Sequence, residues 1–274
     1  MKIGFQLYST FHNRPNTGSS RIRGDWLIKY WDEAEEFVHG RKYDAVIFQK
    51  IYDTKYVKEF DGIKILDMCD PDWTQLNPVI ETAKYCDAIT VPTKGLQKFL
   101  QPKVGIPVVM IPDRHDLEWY KPKRKHTGKA KEVCWYGYSH NSHCLKSLRE
   151  LLRKHDMRIS IIGDEPVVLS SKGVEVKERY TKWKLETINK EIIKSDFVVM
   201  PGSRNPNWKY KSNNKTISSW ALNMPVACDI PTFEKFLDPI ERQKEADKRL
   251  QEVKDRWDVK YSVEEMKKLI KELI

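Results

Sequence analysis

Basic side chains and amides crowd into one stretch, WKYKSNNKTISSWALNMPVACD, at residues 208–229. Lys211, Asn213, Asn214, Lys215 and Thr216 sit where a polar loop runs into a short helical pattern. The first N–H groups of a helix have no intrahelical partner and carry partial positive charge. Lysines added there suit the spot to an anion, most simply a phosphate or diphosphate. The competing reading is a solvated basic helix start. Ala221-Leu222-Asn223-Met224 stops the helix, and Pro225-Val226 opens an apolar strand.

Other chemistry-bearing residues follow apolar runs. Asp67, Asp70 and Asp72 close the run at 63–68. Three carboxylates there cannot all be ionised cheaply if buried, so one is a candidate general base, or the set is a candidate metal site. Asp70 and Asp72 capping the next turn is the plainer alternative. His140, His143 and Cys144 cluster after the run at 133–138, but a zinc site needs a fourth ligand and none stands at a sensible spacing. His140 and Lys146 are better read as site-lining residues, with Gly137 letting a ligand approach the backbone. Asp164 follows the run at 159–163, and Tyr180 and Trp183 stand among Arg179 and Lys182 after the run at 174–177. Aromatic rings beside positive charge can stack on a base and hold its phosphate, or can simply pack on a sheet edge. Near the start, Gly18, Ser19, Ser20, Arg21 and Arg23 form a loop before a helix, a weak anion site lacking both the GxGxxG and GK[ST] spacings.

These loops need a scaffold that brings strand ends together. Apolar runs at 2–7, 44–48, 63–68, 88–91 and 108–111 form one series, and runs at 133–138, 159–163, 174–177, 197–200 and 226–229 form a second. Amphipathic segments at 26–37, 79–85, 145–155 and 184–194 lie between them. Continuously apolar strands alternating with helices predict α/β architecture with parallel sheets covered on both faces. The basic stretch YKPKRKHTGKAK at 120–131 reads as a linker between two such units. The predicted organisation is two Rossmann-like domains facing across a cleft, at 1–122 and 132–238, with helices at 239–274 packing back on them. In the tail, Ile240, Ala246, Leu250, Val253 and Trp257 make one stripe, and Ser262 with Glu265 reads as a capping box. In open α/β sheets ligands bind outside the carboxyl ends of strands, so the loops above are where chemistry is expected.

The totals agree with a folded α/β chain: 274 residues, 40% apolar. The net charge of +10 favours anionic partners such as nucleotides, nucleic acid or anionic lipid. Five scattered cysteines without a CxxC pair predict reduced, buried thiols. The opening MKIGFQLYST reads as a strand rather than a signal peptide, and no apolar run approaches the roughly 18 residues a membrane span needs. A cytoplasmic protein is expected, in the host cytoplasm if viral.

The ordered segments SSRIRGDWL, CDAITVPTKGL, VVMIPDRHDLEWY, VCWYGYSHN, ISIIGD, SDFVVMP and KSNNKTISSWALNMPVA resemble the GT-B glycosyltransferases, especially the retaining, nucleotide-sugar-using, family 4-like group. The resemblance covers most of the chain and lies in the order of the segments more than in any one of them. It implies transfer of a sugar from a nucleoside diphosphate, such as a UDP- or GDP-sugar, to a hydroxyl, with no other cofactor and usually no metal. It places the donor against the second domain, at Gly137, His140, Lys146, Asp164, Tyr180, Trp183, Lys211, Asn214, Lys215 and Thr216. It places the acceptor against the first, at Ser19, Arg21, Arg23 and His115, with Asp70 or Asp72 orienting or deprotonating the acceptor hydroxyl. The family's ribose-binding glutamate aligns with Ser218, and the first acid of its paired-glutamate pattern aligns near Tyr210, so both acids are missing.

Asp70-Pro71-Asp72 also spells the DxD of single-domain, metal-using glycosyltransferases, which would leave the second strand series unexplained. A non-catalytic nucleotide- or nucleic-acid-binding two-domain protein is the non-enzyme alternative. For the acceptor, the charge leans towards nucleic acid, such as a hydroxylated base in viral DNA turned out of its helix. A cell-surface glycan or lipid fits the family equally.

Overall fold

The computed structural model describes residues 1–70, 76–171, 173–202 and 206–274. The chain divides into two compact units. The first comprises Met1–Asp116, Asn207–Asn214 and Trp257–Ile274, and the second Leu117–Pro206 and Lys215–Arg256.

The first unit is built on six strands: β1 (Ile3–Gln6), β2 (Ala34–Glu36), β3 (Ala45–Gln49), β4 (Ile63–Asp67), β5 (Ala88–Val91) and β6 (Val108–Met110). They lie in the order β2-β1-β3-β4-β5-β6, every pair parallel. Register sets Phe5 beside Ile47, Ile47 beside Ile65 and Leu66 beside Ile89. Central strands covered on both faces need apolar side chains at successive positions, which is why AVIF reads as an unbroken run. The order reverses between β1 and β3, the kind of place where open sheets bind ligands. The helix Val259–Glu272 belongs to this unit and buries Val259, Val263, Met266 and Ile270, one helical stripe.

The second unit has β7 (Glu132–Gly137), β8 (Arg158–Gly163), β9 (Lys177–Lys182), β10 (Phe197–Val199) and β11 (Val226–Ala227), in the order β11-β10-β7-β8-β9 and again all parallel. Its order reverses between β7 and β10. Val133, Trp135, Leu145, Ile159, Phe197, Phe233 and Phe236 share one buried cluster. Arg242 is fully buried and donates to the carbonyls of Phe236, Leu237 and Gly128, at 2.7, 3.0 and 2.6 Å. It caps carbonyls that would otherwise lack partners beside the irregular stretch 121–131.

Four details differ from the sequence reading. The amphipathic segment 26–37 is not one helix: helical turns run Gly18–Ser20, Arg21–Asp25 and Trp26–Lys29, and residues 34–36 form edge strand β2. Helix therefore begins inside the supposed loop, and a Cβ on Gly24 would overlap the Leu7 side chain, so the glycine is what lets these turns lie close against the end of β1. The strand expected at 174–177 lies at Lys177–Lys182, where KERYTK is half-exposed at a sheet edge and shows no apolar run. The predicted capping box dissolves, because Asp258 caps the last helix through the Lys260 N–H. Ser262 instead donates to the Pro112 carbonyl at 3.1 Å, and Glu265 accepts two bonds of 2.7 Å from Arg114. Cys228 is exposed, whereas the other four cysteines are buried as free thiols. Among the described residues no helix is long and apolar enough to cross a membrane.

A buried ion network joins the strand ends of the first unit. Arg23 reaches Asp67 through Nε at 2.8 Å and Nη2 at 2.5 Å, and Asp113 and the Ile111 carbonyl through Nη1 at 2.9 and 2.8 Å. Thr90 donates to Asp67 at 2.6 Å, and Ser212 to Asp113 at 2.6 Å. Burial pushes the Asp113 carboxyl upward, opposed by the Arg23 charge. Removing one member strands the others without solvent. Arg23→Met is expected to cost about 3–5 kcal/mol, read as a lowered urea midpoint. A midpoint within error of wild type would contradict the network's role.

His115 gives a second stability test. Its ring is buried 5.3 Å from that of Trp26, its N–H donates to the Trp257 carbonyl at 2.9 Å, and its carbonyl accepts from Val259 at 3.0 Å. Burial, then the Arg21 charge, lowers the imidazole pKa from 6.5 to about 3. Between those values the unfolded chain binds a proton that the folded chain refuses, so stability falls as pH drops through that window. The slope is about 1.4 kcal/mol per pH unit. His115→Gln should flatten this limb in urea titrations, and an unchanged limb would refute the assignment.

Candidate functional site

The carboxyl end of β7 stands at the strand-order reversal of the second unit, and there the sequence places a glycine. Register pairs Gly137 of β7 with Gly163 of β8. A Cβ on Gly163 would fall 2.9 Å from the Gly137 carbonyl oxygen, so only glycine fits without moving backbone. A Cβ on Gly137 would fall 2.7 Å from the Lys215 Nζ. The ammonium group thus occupies the space a side chain would have filled, and it stands 5.8 Å from the centre of the Trp135 ring.

Lys215 is held from below. It lies in the first turn of the helix Asn214–Ala221. The buried Tyr136 hydroxyl donates to the Lys215 carbonyl at 2.5 Å and sits 3.0 Å from the Ser219 hydroxyl, which itself bonds that carbonyl at 2.9 Å. Burial raises the Tyr136 phenol well above its ordinary pKa, so it stays a donor. Ile217, Ser219 and Ala221 are buried. After the helix, Asn223 takes φ +61°, a left-handed value asparagine tolerates, and its amide donates to the Arg124 carbonyl at 2.9 Å. The helix start is therefore fixed at the end of β7, with one ammonium over a bare backbone. That geometry suits a phosphate group.

The neighbouring loops are braced together. Asp164 accepts the Ser139 N–H at 2.7 Å. Although burial pushes its pKa up, the backbone N–H bonds bring it below the usual carboxylate value. The Tyr180 hydroxyl donates to the carbonyls of Gly163 and Asp164 at 3.2 and 3.3 Å, and the Trp183 N–H donates to the Gly163 carbonyl at 2.8 Å. Tyr180 thus props the turn after β8 through its polar end. Exposed His140 stacks on exposed Tyr138, with ring centroids 5.6 Å apart and planes at 15°. Lys146 is exposed in the same helical segment, Ser139–Leu148. His143 and Cys144 turn to the carbonyls of His140 and Asn141, at 3.3 and 3.2 Å. Among the described residues no three His, Cys, Asp or Glu side chains gather as a metal-binding set.

Of the predicted donor residues, the structure brings Gly137 and Lys215 together, with Asp164, Tyr180 and Trp183 around Gly163. Thr216 is half-buried beside Lys215. Lys211 is exposed in the segment Asn207–Asn214 of the first unit, which ends in Asn214, and its N–H donates to the Trp208 carbonyl. Ser218, which aligns with the missing ribose-binding acid, lies 3.1 Å from the Tyr120 hydroxyl. Tyr210 packs its ring 5.7 Å from that of Phe99.

On the first unit, the expected acceptor residues part ways. Arg23 and His115 are buried and committed to the packing described above, which corrects their reading as ligand-facing groups. Arg21 is half-buried with its guanidinium 5.8 Å from the Trp26 ring, and Ser19, two residues earlier, is half-buried. Asp67 is taken by Arg23 and Thr90, leaving Asp70 as the accessible carboxylate, paired with Lys50 at 2.9 Å. Asp72 lies outside the described residues. Sequence reasoning counted Lys50 only among the scattered basic residues of the first unit and missed its place beside Asp70; the lysine takes φ +56° directly after β3 and stands 5.6 Å from the Tyr8 ring. It also missed Gln49, which accepts from the Tyr8 N–H and the Ser20 hydroxyl at 3.1 and 2.8 Å. Both follow an apolar strand at the reversal point, and that position was the available signal. Trp135 and Tyr136 were hidden inside a strand run.

No protein-family model and no curated relative matches the chain. Solved structures do match its fold. HepE from Anabaena, solved with UDP and glucose, aligns over 99% of this chain and 99% of its own, with a TM-score of 0.71 at 10% identity. A Rickettsia africae glycosyltransferase aligns over 99% and 98%, with a TM-score of 0.67 at 10% identity. TarM from S. aureus, in a complex that includes UDP, covers 89% of this chain at a TM-score of 0.61 and 13% identity, and the chain spans 56% of TarM's length. The fold is that of the GT-B glycosyltransferases, two parallel α/β units in one chain.

The Tyr136 hydroxyl carries the local prediction. Tyr136→Phe removes a buried bond to the helix start and should cost about 1 kcal/mol in a urea titration. No change in midpoint would show that the helix start is held by packing alone.

Proposed function

We propose that this chain is a glycosyltransferase that binds a nucleoside-diphosphate sugar through its second unit. The observation that carries the reading is the Lys215 ammonium placed over Gly137 at the end of β7. Solved structures of the same fold include complexes with UDP, which supports a nucleoside diphosphate as the anion. The chemistry is electrostatic. As the bond between sugar and diphosphate breaks, negative charge grows on the leaving phosphate. A fixed ammonium and fixed helix-start N–H groups favour that charge without reorganising. Tyr136 and the two glycines keep the donor groups in place. On the first unit, Asp70 is the group we assign to orient or deprotonate the acceptor hydroxyl, with Lys50 steadying it. We assign the first unit to the acceptor and the second to the donor.

For the acceptor, two observations support different substrates. The charge of +10 supports a hydroxylated base in duplex DNA. An exposed isoleucine among lysines on the second unit supports an acceptor at a lipid surface.

Thermal-shift and calorimetric titration with UDP, GDP and their sugar conjugates test the donor reading. A charged hydrogen bond is worth about 1.5–3 kcal/mol, so Lys215→Ala should weaken the preferred diphosphate about 10- to 150-fold with the unfolding temperature of the free protein retained. Failure of every nucleotide to stabilise the wild-type chain would sink the proposal, as would equal binding by Lys215→Ala. Transfer assays with hydroxymethylated duplex and with lipid-linked glycan then separate the acceptors.

A further inference from the structure

The charges of the second unit are sorted between two groups. The helix Pro239–Arg256 carries Arg249, bound by Glu245 at 2.7 Å and by Glu252 at 2.5 Å, while Glu241 pairs with Lys235 at 3.2 Å. Asp247 and Asp255 on the same helix accept from Gln243 and Gln251, at 2.7 and 2.8 Å. Glu241, Glu245 and Glu252 are thus paired with cations, whereas Asp247 and Asp255 keep their charge. Lys121, Lys123, Lys125, Lys244 and Lys254 are all exposed, and among the described residues none of them pairs with a carboxylate.

Lys121, Lys123 and Lys254 lie near one another, and Lys244 stands beside His126, the neighbour of Lys125 in the chain. The irregular stretch 121–131 runs beside the helix, because the His126 N–H donates to the Gln243 side chain at 2.9 Å. Further along, Lys123 is close enough to Lys254 and Lys121 that, after partial burial, their charges lower its ammonium pKa. From Gln243 to Lys254 the helix advances about 16 Å. Five lysines there face two uncompensated carboxylates, Asp247 and Asp255, which leaves the strip net positive and suited to an outside anion.

Beside this strip lies a shallow, mainly apolar groove lined by His126, Thr127, Pro239, Ile240, Gln243 and Lys244. Ile240 is 73% exposed at its rim. No exposed aromatic residue is found among the lining residues, although single-stranded nucleic acid is normally held by aromatic stacking. A protruding aliphatic side chain beside unpaired lysines instead matches the boundary of an anionic bilayer, where the lysines meet headgroups and the isoleucine enters the acyl edge.

We propose that this face of the second unit, Lys121, Lys123, Lys125, Lys244 and Lys254 with Ile240, docks the protein on an anionic lipid surface. The proposal deepens the lipid-surface reading of the acceptor, and because none of these residues belongs to the site at Gly137 it can fail while the donor reading stands.

Flotation of the full chain with phosphatidylcholine vesicles containing about 30 mol % phosphatidylserine tests it. Wild-type protein should float with these vesicles, remain behind with pure phosphatidylcholine, and be released as salt rises. Each lysine near such a surface contributes roughly fivefold in affinity, so Lys121→Gln, Lys123→Gln and Lys254→Gln combined should lose about 100-fold. Ile240→Ser should weaken binding several-fold without changing its salt dependence. The triple variant should keep the wild-type unfolding temperature and its response to nucleoside diphosphates. Equal flotation of the triple variant and wild type would overturn the proposal, as would equal binding to neutral vesicles. Tighter binding to duplex DNA than to the charged vesicles, lost in the same triple variant, would assign the face to nucleic acid instead.

Discussion

Parallel pairing delivers every strand of a sheet to the same edge. Because β7, β8 and β10 all run one way, their carboxyl ends, and the loops that follow, are adjacent whatever those loops contain. At the reversal of strand order, two successive loops depart to opposite faces and leave room. In the second unit β7 borders that room and ends in Gly137, and Gly163 of β8 lies in register with it. Side chains there would collide with backbone or with Lys215. Everything proposed for the site depends on this bare edge, since an ammonium over a filled strand end would have no space for a phosphate.

The two units use the same edge differently. In the first, the strand ends are tied by Arg23 to Asp67 and Asp113, a network with almost no solvent contact. Buried ion pairs add little net stability relative to apolar packing, and their better-attested value is in fixing one arrangement. Here the arrangement fixed includes Ser212, whose hydroxyl bonds Asp113, two residues before the helix that carries Lys215. Thr93 also holds the Tyr210 carbonyl of that segment at 3.0 Å. That segment is thus pinned within the first unit.

Much of the scaffold was legible because it depends on burial. AVIF, AITV, ISIIG and FVV are covered on both faces, so their composition announces them. β2 and β9 are edge strands, half-exposed and polar, and backbone pairing rather than composition makes them strands. The site was legible in part for a related reason. Lys215 and Gly137 could be singled out by position, one at a helix start and one at a strand end. Arg23 and His115 carried the same outward chemistry as a ligand-binding residue, and only burial shows that their partners are internal. Polarity in sequence cannot distinguish a group facing a ligand from one facing a buried carboxylate.

The same distinction sorts the positive charge. An excess of ten charges is a property of the whole chain, and by itself it names no partner. The structure divides it into side chains paired within the fold, such as Arg23, Arg114, Arg242, Arg249, Lys50 and Lys154, and exposed lysines such as Lys121 and Lys254 for which no acid partner is found among the described residues. Planar guanidinium groups give several directed bonds and so serve inside the fold, whereas the flexible, strongly hydrated ammonium of lysine remains at the surface. Lys215 differs from the surface lysines. Lys215 is half-buried, anchored through its own carbonyl and set against backbone and an indole ring. A phosphate bound over Gly137 would meet that ammonium directly. That argument applies to Lys215 and not to exposed Lys211, although the two looked equivalent in the sequence.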